Sequence, residues 1–406
     1  MGCPTHIHRI GKKLTHHQFR IEKIKLKTLY EFACETLSDR SFKNVAPISL
    51  IRAAAQAENP HADPEDVALV VAYVDSRCVG YHGLLPGFLN YNQKTSKVYW
   101  LVTFFIDQEY RGKGLGKLLV KEIIKTNVDC VTTGITKAAQ KVYQRAGFRQ
   151  LGQLPYFQLR VDRLHVLNSF FKHILEILKN KSDKSIAFDS IIRAIDKWIF
   201  LLTKKVYYGL ALNRLRAEEK KFTSRVVNQL AKEADETAGS PSKAPAFIRD
   251  VKTVNWMLRH PWVVSDHEAQ RDVENYYFSS VRDRFQFIAL EVYTVDRTSQ
   301  KGYLVLSVSN KKGKIVLKFL DLFFDDPKDY TIAAYIGLKY AKAYLADCIE
   351  YPVRLSNFYK NQPLLNHLIK KKKRVYLCYP NNEDSPLAVT APKIELDYCD
   401  GDTAFT

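Results

Sequence analysis

Runs of apolar positions divide this chain of 406 residues into two stretches of predicted strands and helices, with a helical stretch between them. In the first stretch, residues 66–74, 77–85 and 97–106 are rich in β-branched and aromatic side chains, which is typical of buried strands. Upstream, apolar residues recur at helical spacing over 26–37 and 48–57. Downstream the pattern predicts, in order, a helix that ends near residue 126, a strand over 130–135, a helix around residue 143 and strands over 148–161.

The stretch over 164–236 differs, because its apolar residues recur at helical spacing between charged residues. It predicts amphipathic helices with basic outer faces. We favour packing between domains as their role. The alternative is binding at a membrane surface, which Trp198, Phe200 and neighbouring lysines would support. Residues 238–245 combine Gly, Ser and Pro and predict a linker.

The last stretch, 246–406, repeats the element order of the first. The pattern predicts strands over 287–294, 301–308 and 314–324, a hairpin turn over 310–313, a helix over 330–346, a strand over 351–355, a helix over 357–368 and a strand over 374–379. We therefore divide the chain into a first domain over 1–163, a helical connector with its linker over 164–245, and a second α/β domain over 246–406.

Composition supports folded domains and narrows the location of the protein. The chain is 46% hydrophobic and 12% aromatic, so it can form buried cores, and its length predicts two or three domains. No apolar run approaches the ~20 residues that span a bilayer, and the N-terminus lacks an apolar secretory signal. The seven cysteines are scattered without a Cys-x-x-Cys pair, so we expect free thiols and a reducing, cytoplasmic location. No metal site is predicted.

The chain is strongly basic, with a formal net charge of +19 from 62 Lys and Arg against 43 Asp and Glu. Such an excess can attract nucleic acid or anionic lipid. No nucleic-acid recognition motif accompanies it, so we expect no nucleic-acid partner. We interpret the basic run over 370–374 as a solvated loop or the end of a helix.

A glycine-rich turn follows the strand predicted over 97–106 and precedes a helix. Backbone N–H groups at a helix start have no partner within the helix, and the helix dipole adds partial positive charge, so the turn is suited to bind phosphate. A P-loop is excluded because Arg111 stands where its first glycine belongs, and a dinucleotide-binding loop is excluded because Lys117 replaces its third glycine. The turn consists of Arg111, Gly112, Lys113, Gly114, Leu115, Gly116 and Lys117.

This turn resembles the acyl-CoA-binding loop of the GNAT acetyltransferase superfamily, whose pattern is Gln/Arg-x-x-Gly-x-Gly/Ala, since Arg111, Gly114 and Gly116 match it in register. A second stretch is similar to another signature of that superfamily, an alanine-bearing helix with Tyr143 followed by Gly-Phe at residues 147–148. The resemblance covers roughly residues 15–162. It implies an α/β fold with a mixed sheet and the GNAT acyl-CoA transferase fold in the first domain. The second domain would be a degenerate GNAT-like domain, as in bacterial two-part chains.

The resemblance implies an N-acetyltransferase that moves acetyl from its co-substrate acetyl-CoA to a primary amine by direct attack in a ternary complex. The turn would bind the diphosphate, and the pantetheine arm would pair like an added strand with the end of the preceding strand. A backbone N–H at Phe105 or Ile106 would stabilise the oxyanion, and Tyr143 would protonate the leaving thiolate. The general base would be Asp107, His82 or a water relay. The expected cofactor contacts are Thr103, Phe104, Phe105, Ile106, the turn over 111–117, Thr136 and Ala139.

The acceptor is less closely indicated than the cofactor. The turn over 84–88 and the two-part chain resemble bacterial GNAT proteins of glycan synthesis, which implies an amino sugar; small polyamines, aminoacyl groups and protein lysines stay open. The second domain has Phe324-Asp-Asp-Pro-Lys-Asp-Tyr330 where the first has its glycine turn, so we expect it not to bind CoA. The other interpretation is a GNAT-fold binding or scaffold protein without catalysis, docked to a membrane or partner through basic helices. The oligomeric state is left open.

Overall fold

One mixed sheet runs through the structure, a computed structural model that describes residues 19–38, 45–92, 94–164, 186–231, 245–265, 276–390 and 394–405. The described strands of this sheet number 13. Helices cover both of its faces in the first half, because one buried cluster includes residues of the first two helices and another, on the opposite face, includes residues of the next two. The predicted α/β class with a mixed sheet is confirmed.

The first half contains the elements that position the predicted site. They are β1 (Arg20–Lys25), α1 (Leu26–Ser38), α2 (Leu50–Ala57), β2 (Val67–Val74), β3 (Arg77–Tyr91), β4 (Lys94–Ile106), α3 (Leu115–Ile124), β5 (Asp129–Thr133), α4 (Lys137–Arg145) and β6 (Arg149–Arg160). A side-chain hydroxyl caps two of these helices, because Ser49 accepts from the Arg52 amide and Thr136 from the Ala139 amide.

A long helix, α5 (Ile186–Arg214), and a strand, β7 (Thr223–Val227), connect the first half to the second. The second half contains β8 (Ala246–Phe247), α6 (Val251–Arg259), β9 (Val263–Val264), β10 (Ser280–Val281), β11 (Arg284–Tyr293), β12 (Gln300–Lys311), β13 (Lys314–Phe324), α7 (Tyr330–Tyr344), β14 (Cys348–Pro352), α8 (Ser356–Lys360), α9 (Pro363–Asn366), β15 (Ile369–Tyr379) and α10 (Pro386–Thr390). The strands β9 and β10 form a separate parallel pair.

β6 and β15, the last long strands of the first and second halves, each lie beside strands of the other half. The strand order is β1-β2-β3-β4-β5-β15-β6-β14-β13-β12-β11-β7, with β8 paired to β3. Strand β15 lies between β5 and β6, and β6 in turn pairs with β14. The order is symmetric about its centre, and the parallel pairs β4–β5 and β13–β14 occupy equivalent places. The repeated element order behind the second-domain prediction is therefore present, while its relation to the GNAT fold and the proposed domain boundaries stay predictions.

Several predicted elements have different bounds in the structure. β3 and β4 extend well beyond the strands predicted over 77–85 and 97–106, so their hairpin is tight. Residues 84–88 lie within β3 and pair with β4, so their interpretation as a turn was wrong. The strand expected over 351–355 ends at Pro352. The helix expected over 357–368 is split before Pro363, because proline has no N–H to continue a helix. β7 pairs with β11, so the prediction of an entirely helical connector was wrong at 223–227.

The interpretation of the basic run over 370–374 as a loop or helix end was wrong. These residues lie in β15 and pair with β6. Lys371 and Lys373 are exposed, whereas Arg374 is half-buried and donates to the Tyr398 carbonyl at 2.8 Å and to Thr403 Oγ1 at 2.7 Å. Long basic side chains can line a sheet because their aliphatic stems cover apolar neighbours while their charged ends reach polar groups.

The described part of α5 packs against the second half, as we favoured. Lys204 is buried there, with its Nζ 2.5 Å from Asp347 Oδ1, and the Tyr208 hydroxyl donates to the Ala346 carbonyl at 2.9 Å. The outer face of α5 carries an exposed apolar row of Trp198, Leu202, Val206 and Leu210. Contact of this face with a membrane stays a prediction. The helix expected before residue 186 falls mostly on residues 165–185, and the linker almost entirely on 232–244, and both of these segments lie outside the described residues.

None of the described helices combines the length and apolar character needed to cross a bilayer.

Candidate active site

β4 and β5 diverge beside the predicted cofactor site. Their parallel ladder covers only Val98–Trp100 against Asp129–Val131, whereas β4 continues to Ile106 in pairing with β3 on its other side. The β5-facing edge of β4 therefore has no strand partner beyond Trp100 among the described residues. An extended ligand can hydrogen-bond to such an edge as an added strand would.

A β-bulge at Thr103 changes the direction of the side chains at this open edge. Thr103 has a φ of +49°, and the register of β4 against β3 shifts there. A Cβ on the facing Gly83 would lie 2.5 Å from Thr103 Oγ1, so a larger residue at position 83 would force the Thr103 side chain to move. Past the bulge, Phe104 and Ile106 point to the face that carries α3, because a Cβ on Gly116 would lie 3.1 Å from Phe104 Cζ and 2.9 Å from Ile106 Cδ1.

The glycine turn is exposed and leaves the start of α3 uncapped. Gly112 and Gly114 have φ values of +79° and +86°, which side chains other than glycine rarely adopt. Gly114 is the N-cap of α3, and no side-chain hydrogen bond caps the helix there. Arg111 turns back to donate from Nε to the Ile106 carbonyl at 3.0 Å, which ties the turn to the end of β4. The first amides of α3 thus remain available for an anion.

Tyr143 and His82 form a buried hydrogen-bonded pair under Phe104. The Tyr143 hydroxyl lies 2.6 Å from His82 Nε2, and neither residue is more than 1% exposed. His82 Nδ1 lies 3.1 Å from the Val102 carbonyl and 3.2 Å from the Gly83 carbonyl, so Nδ1 must carry the proton and Nε2 must accept from Tyr143. The Phe104 ring stacks on the imidazole with 4.7 Å between ring centroids.

Burial sets the protonation of this pair. It lowers the pKa of His82 to about 4, so the imidazole is neutral at physiological pH. It also raises the pKa of Tyr143 above its ordinary value, although a hydrogen bond with Thr132 acts in the opposite direction. Tyr143 therefore remains a neutral phenol that can donate a proton. Nε2 is the one nitrogen of His82 that can accept a hydrogen bond, and it already accepts from the Tyr143 hydroxyl. The geometry therefore makes His82 a residue that orients Tyr143.

Asp107 occupies a different position from the Tyr143 pair. Its Oδ2 lies 2.6 Å from Arg77 Nη2, and its Oδ1 accepts from the Glu109 amide at 3.2 Å. The hydrogen bond from the Glu109 amide caps the short 3₁₀ turn after β4. The described contacts therefore link Asp107 to the strand end, and its predicted role as a base gains no support from them.

The start of α4 provides the remaining predicted cofactor contacts. Thr136 Oγ1 accepts from the Ala139 amide at 3.2 Å, so these two residues bind each other at the helix N-cap. A Cβ on Gly116 would lie 3.4 Å from Val142 of the same helix, which shows how closely α3 and α4 approach. The contribution of Thr136 and Ala139 to cofactor binding stays a prediction.

Sequence reasoning missed two residues that shape this site. Thr132 lies beside the Tyr143 hydroxyl and donates to the Leu101 carbonyl at 3.0 Å, which joins β5 to β4 where they begin to diverge. Arg77 holds Asp107. A hydroxyl within the apolar run at 130–135 was the available signal for Thr132, and no local signal distinguished Arg77.

Comparison with known proteins gives the class of this domain. Residues 65–150 match the sequence profile described as Acetyltransferase (GNAT) domain. Residues 65–150 therefore form a GNAT acetyltransferase domain, and the predicted resemblance to the GNAT superfamily is confirmed for this stretch.

Relatives with curated names are bacterial. Over 94 residues the chain is 34% identical to the spermine/spermidine N(1)-acetyltransferase of Bacillus subtilis strain 168, which is 21% of this chain and 60% of that protein. A probable spermine N(1)-acetyltransferase of Bacillus subtilis subsp. natto matches equally. The chain thus spans about three fifths of the length of these curated relatives.

Among solved structures, a GCN5-related N-acetyltransferase from Anabaena variabilis is similar with a TM-score of 0.49 and 10% identity, over 90% of this chain and 73% of that chain. Saccharomyces cerevisiae N-myristoyltransferase with bound myristoyl-CoA is similar with a TM-score of 0.44 and 12% identity, over 90% of this chain and 83% of that chain.

The free energy of unfolding should decrease as the pH is lowered, because His82 is buried in its neutral form. The unfolded imidazole has a pKa near 6.5 and the folded one near 4, so as pH falls through this range the unfolded chain binds the proton first. We expect a loss on the order of 3 kcal/mol in the free energy of unfolding between about pH 6.5 and 4. Urea unfolding across this range measures it, and His82→Gln should flatten the curve. The same change at exposed His367 is the control, and equal curves for both variants would contradict the assignment.

The protein should bind one acetyl-CoA per chain, because the second half lacks an open turn. α7 begins directly after the 3₁₀ helix Pro327–Asp329, with no glycine segment between them. Asp326 Oδ1 accepts from the Lys328 amide at 2.8 Å, and its carboxylate would repel phosphate. Isothermal titration calorimetry should therefore give a stoichiometry of one. A value of two would contradict this account of the second half.

Proposed function

We propose that this protein transfers acetyl from acetyl-CoA to a primary amine by direct attack in a ternary complex. The observation that carries the proposal is that the open edge of β4, the uncapped start of α3 and the Tyr143 hydroxyl belong to one end of the β4–β5 split. A binding protein without catalysis could use the first two to hold the co-substrate, but it would not need the Tyr143 hydroxyl beside them.

The diphosphate of the co-substrate would accept hydrogen bonds from the amides of 112–117, and Lys113 and Lys117 would add positive charge. The pantetheine arm would pair with the open edge of β4 from Thr103 onward. This places the thioester beside the bulge, where the amide of Phe105 or Ile106 would donate to the oxyanion.

In the chemical step, the lone pair of the amine nitrogen forms the new C–N bond at the thioester carbon, and the C–S bond breaks. The departing thiolate takes the proton of the Tyr143 hydroxyl, which must turn from His82 toward the sulfur. The amine nitrogen releases its proton to water, and the resulting phenolate recovers a proton from solvent. The products are an N-acetylated amine and CoA with a free thiol.

The acceptor is proposed as an amine, with two classes to be distinguished. The names of the curated relatives indicate polyamines, and the resemblance to glycan-synthesis proteins indicates amino sugars. A non-catalytic docking role has one observation in its favour, the exposed apolar row on α5.

A two-stage experiment tests the proposal on the full chain. Acetyl-CoA should raise the melting temperature, because ligand binding stabilises the folded state, and pantetheine without the nucleotide diphosphate is the matched control. Acetyl transfer is then measured by release of the free CoA thiol with spermidine, glucosamine and a lysine peptide. If acyl-CoA compounds give no thermal shift, the enzyme function is wrong.

A further inference from the structure

Residues 276–278 of the second half lie against the end of β4, the strand that the proposed reaction centre uses. Phe105 of β4 packs with the buried cluster on the face of α1 and α2, whereas Phe104 and Ile106 pack with the cluster on the face of α3. The Tyr277 ring lies 5.1 Å from the Phe105 ring, measured between centroids. The second half therefore contacts a residue whose amide is one of the two predicted donors to the oxyanion.

Hydrogen bonds and an aromatic contact hold these residues in a turn. The Ser279 amide donates to the Tyr276 carbonyl at 3.0 Å, which closes the turn. Arg52 of α2 donates from Nη2 to the Phe278 carbonyl at 3.3 Å. The Tyr276 ring stacks on the ring of buried Tyr81, a residue of β3, with 6.3 Å between centroids. The 276–279 turn is therefore fixed by residues of both halves.

Tyr277 is the residue of this turn whose ring faces outward. It is 68% exposed, whereas Tyr276 is 3% exposed and Phe278 packs partly buried against the cluster of α1 and α2. Most of the Tyr277 ring therefore meets solvent next to Phe105, which is itself half-buried. Exposed aromatic rings beside an open strand edge suit ligand binding, because the ring covers apolar carbon while the hydroxyl reaches polar groups.

The acceptor amine must reach the thioester from the side of β4 that carries Phe105. On the opposite face, α3 and α4 cover β4, and Tyr143 packs beneath Phe104 as the predicted proton donor to the thiolate. The open edge of β4 would be occupied by the pantetheine arm. The face of Phe105 is therefore the remaining approach to the thioester carbon, and Tyr277 lies directly beside it.

We propose that Tyr277 binds the acetyl acceptor, so that the second half supplies the acceptor contact of a site whose coenzyme contacts lie in the first half. The inference rests on the proposed function and adds a substrate-binding residue to it. The exposed face of the Tyr277 ring holds the carbon skeleton next to the amine nitrogen, and Phe105 lies beneath the same group. The second half thus takes part in the reaction although it lacks an open glycine turn.

Steady-state kinetics on the full chain test the inference, with glucosamine and spermidine as the acceptors. Tyr277→Ala should raise the KM for the amine about tenfold, while the turnover number and the acetyl-CoA dissociation constant stay unchanged. Tyr277→Phe keeps the ring and should behave as the unchanged protein does. Trp198→Ala is the matched control, because it removes another exposed aromatic side chain, on the outer face of α5, and it should leave the KM unchanged. Since Tyr277 is exposed, its variants should fold.

An unchanged KM in Tyr277→Ala would overturn the inference and leave the enzyme function standing, as would equal increases in Tyr277→Ala and Trp198→Ala. An increase in Tyr277→Phe as large as that in Tyr277→Ala would overturn the contact with the ring. If acetyl-CoA binds but neither amine is acetylated, a structure with bound acetyl-CoA decides. A thioester carbon that faces Tyr277 beside Phe105 supports the inference, and one that faces only the Tyr143 side overturns it. The absence of any acetyl-CoA binding would refute the enzyme function itself, and the inference with it.

Discussion

Tyr143→Phe should lower the turnover number about 10²- to 10⁴-fold while acetyl-CoA still binds with similar affinity. The phenol is the predicted proton donor to the leaving thiolate, and its burial keeps it protonated. Its ring packs 5.0 Å from Phe148 and 5.7 Å from Phe104, contacts that phenylalanine preserves. The loss should therefore fall on the chemical step. Steady-state kinetics together with the acetyl-CoA dissociation constant separate the two effects.

Loss of a buried hydroxyl also affects stability, so a matched control is needed. Without the phenol, His82 Nε2 would be a buried acceptor without its partner, at a cost of about 1–3 kcal/mol. Tyr208→Phe removes another fully buried hydroxyl, which donates to the Ala346 carbonyl at 2.9 Å, well away from the site. It should destabilise the fold and leave turnover unchanged. Equal turnover losses in the two variants would refute the role of Tyr143 as the acid.

Gly114→Asp should weaken acetyl-CoA binding by about 100-fold or more, which corresponds to roughly 3 kcal/mol. Gly114 has a φ of +86° at the start of α3, where a side chain is strained, and a carboxylate there would repel the diphosphate of the co-substrate. The thermal shift caused by acetyl-CoA should disappear accordingly. Calorimetric titration gives the change in the dissociation constant.

Gly313→Asp is the control for backbone strain. Gly313 has a φ of +78° in the β12–β13 hairpin, and a Cβ there would meet no atom within 4 Å. The substitution imposes a similar strain far from the turn, so it should lower the melting temperature and leave acetyl-CoA affinity unchanged. If both variants bound acetyl-CoA as the unchanged protein does, the glycine turn would not be the phosphate site.

The sequence was most informative where the chemistry is local. Gly112 and Gly114 both adopt left-handed backbone conformations in the turn before α3, and they lie only two residues apart in the chain. The β4 strand that leads into the turn could be recognised from its own residues for the same reason. Tyr143 was placed by the resemblance of its helix to a superfamily signature, which is also a local pattern.

Contacts between distant parts of the chain could not be read in the same way. His82 and Tyr143 are 61 residues apart, and nothing near His82 indicates that its imidazole would be buried beneath Phe104. Asp107 was considered as a base because it follows the predicted thioester strand, yet its partner Arg77 lies on β3. The bulge at Thr103 places its Oγ1 where a side chain on Gly83 would lie, and this is a relation between two strands.

The exchange of β6 and β15 ties the catalytic half to a segment translated much later. β5 is completed on one side only by residues 376–379, which pair with residues 130–133. The chain must therefore be synthesised through residue 379 before the front sheet can close, and until then this edge of β5 is unpaired. Folding of the first half is therefore coupled to folding of the second through β15.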